Sequence, residues 1–143
     1  MTVQEVKAVL NGVRDSVRAY RLAKDKVNAY KQLLTSGKTA RYESDGSTHE
    51  QNGNPIERAY CCLADYETEL SNAVAEMVRC RKTAERLISS VEDRTQREVL
   101  TRRYIIGQRW EDIAFVMNYN IRHIYKIHGA ALQSMALNGT ITL

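Results

Sequence analysis

Proline, cysteine and long apolar runs are scarce in this sequence, and each scarcity argues against a class of protein. A single proline, Pro55, in 143 residues permits long uninterrupted helices. The three cysteines are odd in number and two are adjacent, which suits free thiols in a reducing cytosol. No run approaches the roughly 18 apolar residues of a membrane span, and the start MTVQEVKAVL lacks the apolar core of a signal peptide. We therefore expect a cytoplasmic protein with no membrane segment.

Signatures of metal sites, cofactor sites and enzymes are also lacking. The cysteines and His49 do not have the spacing of a zinc site. His123 and His128 are expected to be surface or partly packed residues, and His128 is not accompanied by the acidic or nucleophilic residues that acid–base catalysis requires. We expect no catalytic activity, no metal and no cofactor.

The net charge is +4 with an isoelectric point near 9.0, and the basic excess lies at the two ends of the chain. Residues 1–34 carry seven basic and three acidic side chains, and residues 92–143 carry seven and five. This balance is compatible with a nucleic-acid partner but does not require one.

Two segments, residues 3–34 and 56–91, have apolar residues in two series, each of which recurs every seven positions. This pattern predicts a coiled coil. Lys24 and Lys31 interrupt one series of the first segment and weaken it toward its end. The two helices can pair as an antiparallel hairpin or across subunits, and a dimer or higher oligomer is favoured because the apolar surface exceeds what one pair must bury. The first segment carries Val3, Val6, Leu10, Val13, Val17, Tyr20, Val27 and Leu34; the second carries Ile56, Ala59, Leu63, Tyr66, Leu70, Ala73, Met77, Cys80, Ala84, Leu87 and Val91.

Residues 35–54 join these segments and are polar and rich in Gly, Ser and Asn. Their length and composition predict a mobile loop and the first site of limited proteolysis. Asn54 can cap the next helix, and Pro55 suits its first turn. The predicted organisation is a helical arm over 1–91 followed by a second domain over 92–143.

The second domain begins with a predicted helix from Glu92 to Ile106, and Gly107 is expected to end it in a left-handed conformation. A short helix is predicted over 110–117, where apolar residues recur with a spacing of three and four. In the following turn, Asn118 is expected to be left-handed, Tyr119 can point inward, and Asn120 is a favoured N-cap.

The last predicted helix, from Ile121 to about Leu137, is amphipathic. Ile124, Ile127, Ala131 and Met135 share its inner face; Arg122, Lys126 and Gln133 lie opposite, with Tyr125 beside them. Two helices joined by a tight turn, the second exposing basic groups near its start, are typical of a helix-turn-helix that places a recognition helix in the major groove.

The stretch VLTRRYIIGQRWEDIAFVMNYNIRHIYKIHGAAL, residues 99–132, resembles region four of bacterial sigma factors. The whole chain resembles small phage and prophage proteins related to late-gene activators of the ArpU and RinA type. Arg109 replaces the usual serine N-cap, Asn118 the usual glycine, and Ile121 and His123 positions that are often arginine, so the promoter preference is not carried over. The matching residues are Leu100, Arg103, Tyr104, Gly107, Glu111, Ile113, Ala114, Ile124, Ile127, Ala131 and Leu132.

Seven residues are candidates for contact with double-stranded DNA. Arg122 is suited to a bidentate contact with guanine, and Lys126 to a base or a phosphate. Asn120 and Tyr125 can meet backbone phosphates, as can Arg102, Arg103 and Arg109. The alternative for each is a solvated helix face. Three further basic residues on the first helix, Arg14, Arg18 and Arg21, can extend a DNA footprint or be merely solvated.

These features predict an all-α protein: a long antiparallel helical hairpin or coiled coil followed by a three-helix helix-turn-helix domain. The expected function is phage-type transcriptional regulation by DNA binding. One alternative is a DNA-recognition subunit for genome packaging, which predicts a ring-like oligomer with weak sequence preference. Another is an RNA-polymerase-binding module, which predicts co-purification with polymerase in the absence of DNA.

Overall fold

A computed structural model describes residues 1–36 and 55–142, with side chains described as far as residue 138. Within these ranges there are helices and short connections but no strand, which confirms the predicted all-α class. None of the described helices combines the length and the apolar character needed to cross a membrane. The helices are α1 (Val3–Thr35), α2 (Pro55–Ser89), α3 (Arg94–Leu100) with a π-helical continuation (Thr101–Ile106), α4 (Trp110–Met117) and α5 (Ile121–Thr142).

The predicted loop at 35–54 falls mostly on residues outside the described ranges, and so does the predicted cap at Asn54. At its start, Thr35 is the last residue of α1 and Ser36 forms a turn. At its end, Pro55 is the first residue of α2, as expected for a residue whose fixed φ suits the first turn of a helix.

The described chain divides into two compact units. One contains Met1–Val17 together with Met77–Leu143, and the other contains Arg18–Glu76. The grouping does not follow the predicted boundary after residue 91, because the first part of α1 and the end of α2 share a core with the C-terminal helices. Which segment folds by itself stays a prediction.

In the unit formed by Arg18–Glu76, α1 and α2 run antiparallel. The Lys26 Nζ atom lies 3.1 Å from Glu69 Oε1, and the rings of Tyr30 and Tyr66 lie 5.1 Å apart. Residues later in α1 therefore meet residues earlier in α2. The predicted interruption of the first seam also has a structural consequence: Lys24 and Lys31 are exposed, while Ala23 and Val27 are buried.

The other unit contains two clusters of buried apolar residues, and the larger cluster joins α1, α2, α3 with its π-helical continuation, and α5. Val6, Leu10 and Val13, which are heptad residues of α1, are fully buried in this cluster. The first part of the α1 seam therefore packs in a core built by several helices, not by α2 alone. Burial of each such side chain contributes about 1.5–3 kcal/mol to folding. The buried members are Val6, Leu10, Val13, Ala84, Ile88, Val91, Leu100, Tyr104, Ala131, Leu132 and Met135.

Helix α3 begins two residues later than predicted, because Asp93 acts as its N-cap. The Asp93 side chain accepts a hydrogen bond from the Gln96 N–H at 3.1 Å, which satisfies a donor that the first turn leaves free. The helix then widens into the π-helical turn and ends at Gly107, whose φ of 88° is left-handed as predicted. The Gly107 N–H donates to the Arg102 carbonyl oxygen at 3.0 Å, and this closes the last turn.

Candidate nucleic-acid interface

The turn between α4 and α5 is built from two asparagines with different tasks. Asn118 has φ 60° and ψ 43°, so it takes the left-handed conformation. Asparagine tolerates this conformation better than other residues with a side chain. The Tyr119 N–H then donates to the Ala114 carbonyl oxygen at 3.0 Å, which ends α4. Both the predicted left-handed residue and the predicted end of α4 are confirmed.

Asn120 sets the start of α5. Its side-chain Oδ1 accepts a hydrogen bond from the His123 N–H at 2.8 Å, and its carbonyl oxygen accepts from the Ile124 N–H at 3.2 Å. This is the predicted N-cap. The amide nitrogen of the exposed Asn120 side chain is not used by the cap.

Tyr119 does not point inward. Its side chain is 40% exposed, and its ring lies 4.7 Å from the ring of His123 in an edge-on contact. The hydrophobic interior of this domain is completed by other residues, since Ile113 and Ile124 are already fully buried against Val99 and Ala114. Tyr119 therefore belongs to the surface of the turn.

The first turns of α5 present a polar surface over an apolar base. Ile124 is fully buried, whereas Arg122, His123 and Lys126 are exposed and Tyr125 is 47% exposed. The short turn and the cap hold this helix in one orientation on α4. Two cationic side chains one turn apart are thus displayed on a helix whose first turn is capped.

Trp110, the first residue of α4, connects the start of that helix to α5. Its ring lies 5.4 Å from Tyr125 and 4.8 Å from His128, both in edge-on contacts. The guanidinium of Arg103 lies 4.5 Å from the centre of the Trp110 ring, and its Nη1 donates to the Gln108 carbonyl oxygen at 3.1 Å. Burial and the charge of Arg14 lower the pKa of Arg103. This cation therefore belongs to the packing of the domain and is only partly exposed.

His128 completes the cluster from the opposite side. Its Nε2 lies 2.8 Å from the Tyr104 hydroxyl. Burial, followed by the charges of Arg103 and Lys7, lowers the pKa of His128 from 6.5 to about 4. Burial likewise raises the pKa of Tyr104. At neutral pH the pair is therefore an uncharged imidazole and an uncharged phenol, which share a hydrogen bond inside the domain.

The depressed pKa of His128 predicts a loss of stability on acidification. Between pH 6.5 and about 4 the unfolded chain binds a proton at His128 that the folded chain excludes, so the free energy of unfolding falls as pH is lowered through this window. The full shift corresponds to about 3 kcal/mol. Because the ring is partly exposed, we expect about 1–2 kcal/mol.

Urea unfolding of the parent and of His128→Gln from pH 7 to 4 measures this effect. The variant should have the shallower pH dependence, whatever its stability at pH 7. His123→Gln, the same substitution at an exposed position, serves as the control. Parallel curves for parent and His128→Gln would contradict the prediction.

The remaining arginines among the candidates occupy different surroundings. Arg109 is exposed at the start of α4, where its Nε lies 3.3 Å from Asp112 Oδ2; as the N-cap residue it makes no side-chain capping hydrogen bond. Arg102 is paired with Glu98 at 2.8 Å and lines a shallow groove of about 530 Å³ beside the end of α2. Arg109 thus lies next to Trp110, whereas Arg102 faces the groove.

Sequence reasoning did not find the Trp110 cluster or the approach of α1 to it. The charge of Lys7 acts on His128, and the charge of Arg14 acts on Arg103 and Tyr104. The only signal was that these two cations are seven residues apart and each follows a seam valine. Such spacing defines a shared face but does not identify its neighbours.

No protein-family model, no curated protein and no solved structure matches this chain. Function is therefore inferred from the residues and their geometry.

Proposed function

We propose that this chain is a phage-type, DNA-binding transcriptional regulator that reads the major groove with the first turns of α5. The observation that carries the proposal is the geometry of α4, the turn and α5. Helix α5 is capped by Asn120, anchored by the buried Ile124, and displays Arg122 and Lys126 to solvent. A rigid helix that exposes cations near its N-terminus is how helix-turn-helix proteins reach base edges.

Each exposed group in this proposal has a distinct task. Arg122 makes the bidentate contact with guanine, because its planar fork matches the two acceptors of that base. Lys126 and Arg109 neutralise phosphates, Arg109 after leaving its exposed ion pair with Asp112. The Tyr125 hydroxyl and the free amide of Asn120 donate to phosphate oxygens and set the register.

Arg103 and Arg102 have supporting tasks. Arg103 holds Trp110 against α5 and adds positive potential beneath the interface. Arg102 is the weakest of the proposed phosphate contacts, because it is paired with Glu98. The protein acts by binding and placement, without catalysis, in the cytoplasm, where it has access to DNA and RNA polymerase. The resemblance to sigma region four and to ArpU- and RinA-type activators supports the same function.

A second candidate is an RNA-polymerase-binding module, and one feature of α4 favours a protein partner. Phe115 is 87% exposed and Val116 is 49% exposed on the same short helix. Contiguous exposed apolar surface marks sites of protein contact, and Phe115 and Val116 are the residues of α4 that would contribute to such a site. The two functions are compatible, since an activator binds DNA and touches polymerase.

Selection of bound fragments from the genome that encodes this chain tests the proposal. We expect enrichment of a few fragments that lie upstream of genes. A homodimer, the favoured assembly, should select two half-sites separated by about 10 base pairs or a multiple, and light scattering should then give twice the chain mass.

Other outcomes would favour the alternatives. Unselective binding by a ring-like oligomer would indicate a genome-packaging subunit. Capture of polymerase without DNA, together with no enriched fragment, would indicate the polymerase-binding module and contradict the DNA-reading function.

A further inference from the structure

The first part of α1 lies in the same compact unit as the proposed recognition helix. Met1–Val17 belongs to the unit that contains Met77–Leu143, and the α1 residues Val6, Leu10 and Val13 are fully buried in one core with Ala131 of α5. A helix that is held by three fully buried residues has a defined face toward the rest of its unit. The side chains at the edge of this contact are therefore placed by the fold.

Lys7 and Arg14 occupy that edge. Each directly follows a buried valine, and a spacing of seven residues puts them on one side of α1. Both side chains are exposed, and within the described residues neither forms an ion pair. The pair is thus a solvent-facing row of two cations beside the core.

The core that buries Val6 and Val13 also contains Tyr104, whose hydroxyl lies 2.8 Å from His128 Nε2, and the His128 ring lies 4.8 Å from that of Trp110. The row therefore lies near the Trp110 cluster. The charge of Arg14 lowers the pKa of Arg103, and the charge of Lys7 lowers the pKa of His128. Arg103 in turn lies 4.5 Å from the centre of the Trp110 ring, which touches Tyr125 on α5. Three cations, Lys7, Arg14 and Arg103, thus act on one small region. The charges of Arg14 and Arg103 repel each other, and a polyanion bound at this surface would relieve that repulsion.

We propose that Lys7 and Arg14 form a second phosphate-contacting surface, so that DNA read by α5 is also held by the first part of α1. This inference rests on the proposed function. It gives α1 a direct part in DNA binding, in addition to any part in the association of subunits. Contacts of this kind add affinity for any sequence and leave discrimination among sequences to α5.

The test is a salt titration of Lys7→Ala/Arg14→Ala on specific and scrambled duplexes. A matched control exists in the same helix: Lys24→Ala/Lys31→Ala removes two exposed cations with the same spacing, in the other compact unit. Loss of two phosphate contacts should reduce the slope of log K against log salt by about 1.8. Between 50 and 200 mM salt, the loss of affinity should then be about tenfold smaller than for the parent.

Affinity for both duplexes should fall by the same factor, and the control should keep the parent's slope. Hydroxyl-radical footprinting should show backbone positions that lose protection in Lys7→Ala/Arg14→Ala but keep it in Arg122→Ala. The fluorescence of Trp110 and the melting temperature report whether each variant is folded.

The outcomes separate this inference from the proposed function. If Arg122→Ala impairs specific binding while Lys7→Ala/Arg14→Ala behaves like Lys24→Ala/Lys31→Ala, DNA reading stands and the α1 surface is rejected. If the parent binds no duplex at all, both proposals are rejected. A loss of affinity confined to the specific duplex would also reject the α1 surface, because it would indicate base reading.

Discussion

Replacing Arg122 with alanine is expected to remove most of the preference for the selected site while leaving the domain folded. The side chain is exposed and lies opposite the buried Ile124, so its loss does not disturb packing. One bidentate contact with guanine contributes about 1–3 kcal/mol of discrimination, which is about 5- to 150-fold in relative affinity. Binding to scrambled DNA should change far less.

Two further variants, one at Arg122 and one at Lys126, separate the contribution of charge from that of base reading. Arg122→Lys retains the cation but not the planar fork, so it should keep affinity for scrambled DNA and lose discrimination. Lys126→Ala, one turn away, should weaken both duplexes equally and reduce the salt slope by about one. Titrations of all three variants on both duplexes, each with a melting curve, provide the measurement.

If folded Arg122→Ala binds the selected site as tightly as the parent, α5 is not the reading helix. The surface with the exposed Phe115 and Val116 on α4 would then be the better candidate for the functional site, and polymerase binding would be favoured over DNA reading as the function.

Leu10→Ala is expected to lower the free energy of unfolding of the unit that contains the helix-turn-helix by about 2–5 kcal/mol. Leu10 is fully buried in the core that also contains Tyr104 and Met135, so its truncation leaves a cavity beneath α3 and α5. A substitution in the predicted coiled-coil arm should therefore destabilise the proposed DNA-binding region.

Leu22→Ala is the matched control, because it is the same substitution in the same helix at a side chain that is 59% exposed. We expect a change within about 0.5 kcal/mol for it. Trp110 is the only tryptophan, and its ring packs on Arg103, Tyr125 and His128, so its fluorescence follows the helix-turn-helix region alone. Urea unfolding followed by this signal tests the coupling. A Trp110 transition that is unmoved by Leu10→Ala would show that the first part of α1 does not support this region.

Much of the helix-turn-helix was predictable because its signals are local. Gly107 and Asn118 satisfy backbone conformations that few other residues accept, and Asn120 satisfies a hydrogen bond three residues away. The bounds of α4 and the start of α5 follow from these constraints. The π-helical end of α3 and the exposure of Tyr119 were missed, because neither has a distinctive local pattern.

The candidate interface was predictable to the same local extent. Helical periodicity placed Arg122, Tyr125 and Lys126 away from Ile124, and the structure exposes all three. Helical periodicity did not distinguish Arg103, which packs on Trp110, from Arg109, which is exposed. Adjacent cations in a sequence look alike until the residues that cover them are known.

The sequence alone determined which segments are helical and which side of each is apolar, because these properties depend on neighbours within a few residues. The ends were less certain: α5 was predicted to stop at about Leu137 and extends to Thr142. Only the tertiary structure decided what covers each apolar side. Val13 and Val27 belong to the same heptad series of α1, yet Val13 lies in the core shared with α5, whereas Val27 lies in the other unit. The pairing of Tyr104 with His128 likewise joins residues 24 positions apart. Periodicity gives the direction of a side chain from its own helix axis, and long-range packing determines what that side chain meets.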